Sequence, residues 1–316
     1  MNNSVLVVVL ASAVTYGTPL LYSALGELLA ERSGVLNLGV EGMMLVGAVM
    51  GFWAVQQTGS LSAAVGLAAV AGAAMALIHA FLVVTLRASQ IVSGLALTIF
   101  AGSQGLSSYL GNDLNLADQP ARRAFAPFLP KSWQNAEIVG PILFKQSALV
   151  YASWALVVLI ALYLNRTRFG LNVRAVGESP EAADAMGINV TAYRYAHTLI
   201  GGAFAGVGGA CFSLWITPQW VDGLTAGAGW IAIALVIFAF WRPTLCLVGA
   251  YLFGAFSGIP FAFQARGILK GIPPELFQSL PYVMTVVVLV LVSSAGARRR
   301  LGAPAALGTP YVREER

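Results

Sequence analysis

Charge is what this chain has least of: 10% of its 316 residues are Asp, Glu, Lys or Arg, against 58% hydrophobic. A water-soluble domain of this length needs roughly a quarter of its residues charged to cover its surface, so a soluble globular protein is excluded. Lysine is nearly missing, found only at 131, 145 and 270. A phosphate-binding P-loop needs GxxxxGK followed by Ser or Thr, so that backbone amides and the lysine cradle the phosphates. The single Lys-Ser pair, Lys131 with Ser132, has Pro130 and Phe125 where the glycines belong. If ATP drives this protein, another chain hydrolyses it. Cys211 and Cys246 are the only cysteines and lie in predicted helices without a CxxC or a nearby histidine, which supports neither a metal site nor a disulfide framework; both read as small apolar fillers. The two histidines, His79 and His197, lack carboxylates at matching spacing, which argues against a proton relay. No nucleophile, metal-ligand cluster or acid–base pair stands out, so no catalytic residue, metal or bound cofactor is assigned.

What the chain has in abundance is apolar runs about 20 residues long, the span of a bilayer core. Nine can be drawn, at 4–29, 38–55, 61–86, 91–110, 147–164, 195–217, 227–240, 244–263 and 280–296. Without water in the bilayer each span must satisfy its own backbone hydrogen bonds, as a helix does and a lone strand does not. The expectation is an all-α, polytopic membrane protein of about nine transmembrane helices, one domain over 1–316. The amino terminus MNNSVLVVVLA lacks a basic n-region and a small-x-small cleavage site, so the first span reads as a retained anchor. The +5 charge falls between spans, where cations set orientation rather than bind nucleic acid. Arg32, Arg87, Arg166, Arg168, Arg174, Arg194, Arg242, Arg298, Arg299, Arg300, Arg313 and Arg316 fall on one side, and Arg122, Arg123, Lys131, Lys145, Arg266 and Lys270 on the other. The arginine-rich side is then cytoplasmic and the amino terminus faces out.

Small residues let helix backbones approach where lipid supplies little hydrophobic drive. Gly202, Gly206 and Ala210 repeat at four-residue spacing, as do Ala68, Gly72, Ala76 and Ala80, Gly47 with Gly51, and Gly254 with Gly258. Two connections exceed ordinary length. The cytoplasmic loop 165–194 contains a two-turn helix, with Ser179 as N-cap, Pro180 at the first position and Gly187 as terminator. Such a helix is unstable alone and must dock on its own bundle or on a partner; Ala182, Ala183 and Met186 offer a small apolar face, with Glu181 and Asp184 beside it. The extracytoplasmic loop 111–146 is proline-rich and basic, fit for an outer partner or a plain connector.

Five stretches carry a resemblance: GELLAERSGVLNLGVEGMMLVGA (26–48), FGLNVRAVGESPEAADAMGI (169–188), TPQWVDGLTAGAGWIAIALVIFAFWRP (217–243), LPYVMTVVVLVL (280–291) and ALGTPYVREER (306–316) within the cytoplasmic tail 297–316. In them the chain resembles, nearly end to end, the permease subunits of ATP-binding-cassette importers for nucleosides and simple sugars, related to ribose and branched-chain amino-acid permeases. LNLGVEG and ALGxPYxRE look like the nucleoside type, which works beside a second, different permease. GAGWIA (227–232) departs from the pattern, since an arginine is expected between its glycines. The resemblance implies a cell-membrane location and an extracytoplasmic binding protein or lipoprotein that delivers substrate. It also implies separate ATPase subunits that hold ATP and Mg and grip a coupling helix comprising Glu178, Ser179, Pro180, Glu181, Ala182, Ala183, Asp184, Met186 and Gly187. A simple-sugar permease is the nearest alternative.

Asn37 and Glu41 are four apart, so on a helix beginning near Leu36 they share a face. An ionised carboxylate at mid-membrane costs about 2.5–3.5 kcal/mol, so Glu41 needs a partner, either Arg32 or a neighbouring helix end. The pair is either part of the pathway or an interhelical lock, and the lock is favoured because a neutral nucleoside needs no carboxylate. Substrate candidates are Trp215, Gln219, Trp220 and Trp230, whose aromatic faces and amide suit a sugar or base; a membrane-interface belt is the plainer account. An ion-coupled transporter would show paired intramembrane acids, whereas Glu41 is the one strong candidate in the predicted spans. A channel would show a polar ring, and no such pattern is evident.

Overall fold

The computed structural model describes residues 5–102, 104–117, 119–264, 276, 279–292 and 302–312. Helices α1 (Val5–Arg32), α2 (Val40–Thr58), α3 (Leu61–Ala80), α4 (Gln90–Ala101) and α5 (Leu106–Asp113) come first. A short α6 (Lys131–Gln134), then α7 (Ala148–Arg166), α8 (Arg168–Glu178), α9 (Pro180–Ala185) and α10 (Val190–Cys211) follow. The described chain closes with α11 (Ala228–Phe238), α12 (Pro243–Gln264) and α13 (Leu280–Val292). Among the described residues there is no strand, only isolated bridges such as Ala117 with Trp220 and Pro120 with Gln219. Among the described residues, six helical runs are long and apolar enough to cross a membrane: Val5–Arg32, Leu61–Thr85, Gln90–Asp113, Ala148–Arg166, Val190–Ile216 and Pro243–Pro260.

The boundaries depart from the sequence expectation at two of the drawn segments. The segment drawn at 91–110 is broken after Ala101, where Gly102 turns extended. The segment drawn at 227–240 yields only 11 residues of helix, about 16 Å long and half a hydrocarbon core of about 30 Å. The basic residues Arg266, Lys270, Arg298, Arg299, Arg300, Arg313 and Arg316 lie outside the described residues.

The small-residue stripes are the helix contacts. At Gly206 an added Cβ would meet the Ala68 carbonyl oxygen at 2.1 Å, and at Gly47 it would meet the Gly206 Cα at 2.3 Å, so α2, α3 and α10 touch backbone to backbone. Gly26 faces Gly201 and Gly17 faces Ala250 in the same way, packing α1 between α10 and α12. Cys211 and Cys246 are buried filler in this core. Helix α1 ends because Gly34 adopts φ +89° and the Val35 N–H reaches back to the Ala30 carbonyl at 3.1 Å, a left-handed C-terminal cap.

Candidate functional site

The link from Ser33 to Gly39 does not leave the bundle. It folds back along α1, so that the Asn37 N–H donates to Glu27 Oε1 at 3.0 Å, five residues or roughly 7 Å before the end of that helix. Irregular backbone at such depth is tolerated only where protein satisfies it, and here side chains do so. The Leu36 N–H donates to Gln90 Oε1 at 2.6 Å. Thr98 donates to the Leu38 carbonyl at 2.8 Å, and the Gly39 N–H donates to Asn37 Oδ1 at 2.9 Å. His79 holds the same link, with Nε2 3.1 Å from the Leu36 carbonyl and Nδ1 2.9 Å from the Ser93 hydroxyl. The carbonyl only accepts, so Nε2 carries the proton and Nδ1 accepts from Ser93. His197 is stacked between Tyr163 and Tyr193 and bonded to both.

Helix α2 starts at Val40, later than the expected Leu36, so Asn37 precedes the helix and does not share a helical face with Glu41. Asn37 shapes the link; Glu41, 7% exposed, does something else. Its Oε1 accepts from Thr225 Oγ1 at 2.6 Å and from the Gly227 N–H at 2.8 Å, and its Oε2 accepts from the Gly229 N–H at 2.6 Å. Those amides are the N-terminus of α11, whose N-cap Gly227 sits at φ +80°. Of the two partners proposed for Glu41, the structure shows the helix end. Arg32 instead donates to the Trp241 carbonyl, at 2.9 Å through Nη2, and to the Gly302 carbonyl at 3.3 Å. Because Glu41 also lies in the first turn of α2, one carboxylate faces two helix N-termini, each equivalent to roughly +0.5 elementary charge.

Beside this junction is a cavity of 270 Å³, walled by Tyr16 of α1, Phe212 at the end of α10, Thr225, Ser257 of α12 and Tyr282 of α13, with Ile231 of α11 below. The four side chains singled out from the sequence do not line it. Trp220 is buried against Phe52 and Leu116, Gln219 is exposed and bridges the outer loop through its backbone, Trp230 is 38% exposed, and Trp215 is half-buried.

Sequence reasoning also passed over charged groups inside the bundle. Glu27 and Glu31, four apart on α1, are 1% and 0% exposed. Glu31 accepts from the Trp241 indole N–H, while Glu27 Oε2 and Glu31 Oε1 are buried without a hydrogen-bond partner among the described residues. Glu41 is therefore not the sole acid in the predicted spans, and the i, i+4 spacing was the available signal. Arg194, counted among the orientation charges of the arginine-rich side, is 1% exposed. Its Nη1 donates to the Thr309 carbonyl at 3.1 Å, fastening the carboxyl-terminal tail, and the Ala306 N–H of the tail bonds the Gly177 carbonyl at 2.9 Å.

On the arginine-rich face, α9 is laid down as its capping residues require, with Ser179 Oγ accepting from the Ala182 N–H at 3.4 Å and Gly187 at φ +82°. Pro180 and Ala183 are buried, Ala183 packing with Val176 and Val190, so the helix docks on its own bundle by that side. Glu178, Glu181, Ala182, Ala185 and Gly187 are exposed, and Met186 is 81% exposed; Ser179 and Asp184 are half-buried. A second cavity, of 450 Å³, opens nearby between Arg32, Arg174, Arg242 and Trp241.

Residues 9–289 match the family described as branched-chain amino acid transport system / permease component. A Haloferax volcanii chain, named provisionally as a glucose ABC transporter permease, is 38% identical, covering 96% of this chain and 97% of its own. A nucleoside ABC transporter permease of Lactococcus lactis is 34% identical over 98% of both chains. A guanosine ABC transporter permease of Bacillus subtilis is 33% identical over 99% of this chain and 98% of its own. No solved structure matches.

Proposed function

We propose that this chain, which belongs to the branched-chain amino acid transport system / permease component family and is a multi-pass permease subunit of an ABC transporter, moves nucleosides across the cell membrane. The near end-to-end similarity to two permeases named for nucleosides or guanosine carries this reading. A simple sugar is the second reading, favoured by the similarity to the Haloferax chain named for glucose. In our reading the chain works as one transmembrane domain of nine membrane segments, with α2, α11 and α13 completing the six longer runs. Its amino terminus faces out and its carboxyl terminus faces the cytoplasm, as the arginine count on the two sides suggests. It forms half of the path with a second permease and receives substrate from an extracytoplasmic binding protein or lipoprotein. ATP and Mg are held by ATPase subunits. The exposed ridge of Glu178, Glu181, Ala182, Ala185 and Met186 is the grip, since its opposite side is already buried on the bundle and a rigid helix transmits a rocking motion inward. Asn37 and Glu41 lock the broken helix ends.

Uptake of labelled uridine into proteoliposomes tests this. Transport should require this chain, the second permease and the ATPase together with ATP. Transport by this chain alone would refute it, and uptake of glucose but not uridine would select the sugar reading.

A further inference from the structure

Three hydroxyl groups at the cavity beside Glu41 have their protons committed elsewhere. Thr225 Oγ1 donates to the Glu41 carboxylate at 2.6 Å. Ser257 Oγ donates to the Phe253 carbonyl at 3.2 Å, and the Tyr282 hydroxyl donates to the Ala226 carbonyl. Carboxylates and carbonyls only accept, so the direction of each bond is forced. What these hydroxyls offer the cavity is lone pairs. A ligand that satisfies them must bring donors, as sugar hydroxyls and the N–H groups of a base do.

Charge selects in the same direction. A helix N-terminus ordinarily attracts an anionic substrate group in a transporter with broken helices. Here the amides of Gly227 and Gly229 are already bonded to Glu41, and the two helix ends together, roughly +1 in elementary charge, balance that one carboxylate. Among the described residues, no Lys, Arg or His lines the cavity. A phosphate entering it would meet those lone pairs, with no cation among the described lining residues. The aromatic faces of Tyr16, Phe212 and Tyr282 suit a flat ring, and 270 Å³ lies just below the roughly 300–1,000 Å³ typical of small-molecule sites, room for a small ligand.

We propose that this cavity is a binding site for an uncharged, donor-rich ring compound of nucleoside size, in which Thr225, Ser257 and Tyr282 accept hydrogen bonds and Glu41 excludes anionic ligands by occupying the α11 N-terminus. The identification of the ligand as a nucleoside rests on the functional reading above. Thermal unfolding of the purified transporter, without its binding protein, tests the site, because a ligand that binds only the folded state raises the melting temperature by an amount that grows with the logarithm of its concentration over its dissociation constant. Uridine should raise it progressively through the millimolar range, and uridine 5′-monophosphate should not. Ser257→Ala and Tyr282→Phe should each weaken the apparent uridine affinity by about 3- to 10-fold, the worth of one hydrogen bond, while the unliganded melting point reports folding separately. No rise with uridine, an equal response to the monophosphate, or unchanged affinity in both variants would overturn the site. Uridine uptake by the same wild-type complex separates the two readings: uptake with a failed binding test removes the site alone, and no uptake removes the functional reading and the nucleoside assignment with it.

Discussion

Replacing Glu41 tests the junction of the two broken helices most sharply, because the three donors it serves have no substitute acceptor in hand. Glu41→Ala strips the acceptor from Thr225, Gly227 and Gly229, which donate at 2.6, 2.8 and 2.6 Å. Hydrogen bonds to a charged group are each worth about 1.5–3 kcal/mol. Water from the adjoining cavity offsets part of that loss, leaving a net cost of about 3–5 kcal/mol, as when a buried pair is broken. Glu41→Gln is gentler. Its carbonyl oxygen can replace Oε1 for Thr225 and Gly227, but the amide nitrogen then confronts the Gly229 N–H, donor against donor, at a cost of about 1–3 kcal/mol. Melting of the detergent-solubilised chain should therefore rank wild type above Gln and Gln above Ala. Coincident melting of all three would refute the assignment of Glu41 as the clasp on α11.

Glycine substitutions should divide by what lies opposite. Gly209→Ala, whose added Cβ would sit 1.8 Å from the Met44 carbonyl oxygen, should abolish accumulation of folded protein. Gly66→Ala, with open space around it, should stabilise α3 by about 0.5–1 kcal/mol; equal behaviour in a melting assay would contradict the packing described. Trp241→Phe removes the indole donor to Glu31 and should cost about 1–3 kcal/mol, read by the same melting assay. Ala182→Arg, on the exposed side of α9, should leave the chain at normal abundance in the membrane while uptake falls to background; normal uptake would count against the grip.

Much of this architecture is legible in the sequence because the bilayer forces helices and small residues mark where they touch: Gly47, Gly72, Gly202 and Gly206 lie at their predicted contacts. Ser179, Pro180 and Gly187 likewise delimit α9 by local capping chemistry. The cavity is not legible, since Tyr16, Phe212, Thr225, Ser257 and Tyr282 come from five separate segments and no local pattern joins them. Arg194 misled for a related reason. An arginine near a predicted span end reads as a surface charge, but the link at Gly34 and the returning tail, more than a hundred residues later, enclose it. The Glu27 and Glu31 pair is readable from its i, i+4 spacing, but nothing local in the sequence shows that Trp241, 210 residues from Glu31, partners it.

The claim on which the transport account turns is that the α9 ridge is held by an ATPase. Cys211 and Cys246 are buried, so Met186→Cys supplies the one exposed thiol of the chain. Thiol crosslinking of that variant in membranes containing the assembled transporter should yield an adduct of this chain with the ATPase subunit, diminished when α9 carries Ala182→Arg as well. A transporter that takes up uridine at the normal rate yet gives no ATPase adduct from position 186 would contradict it.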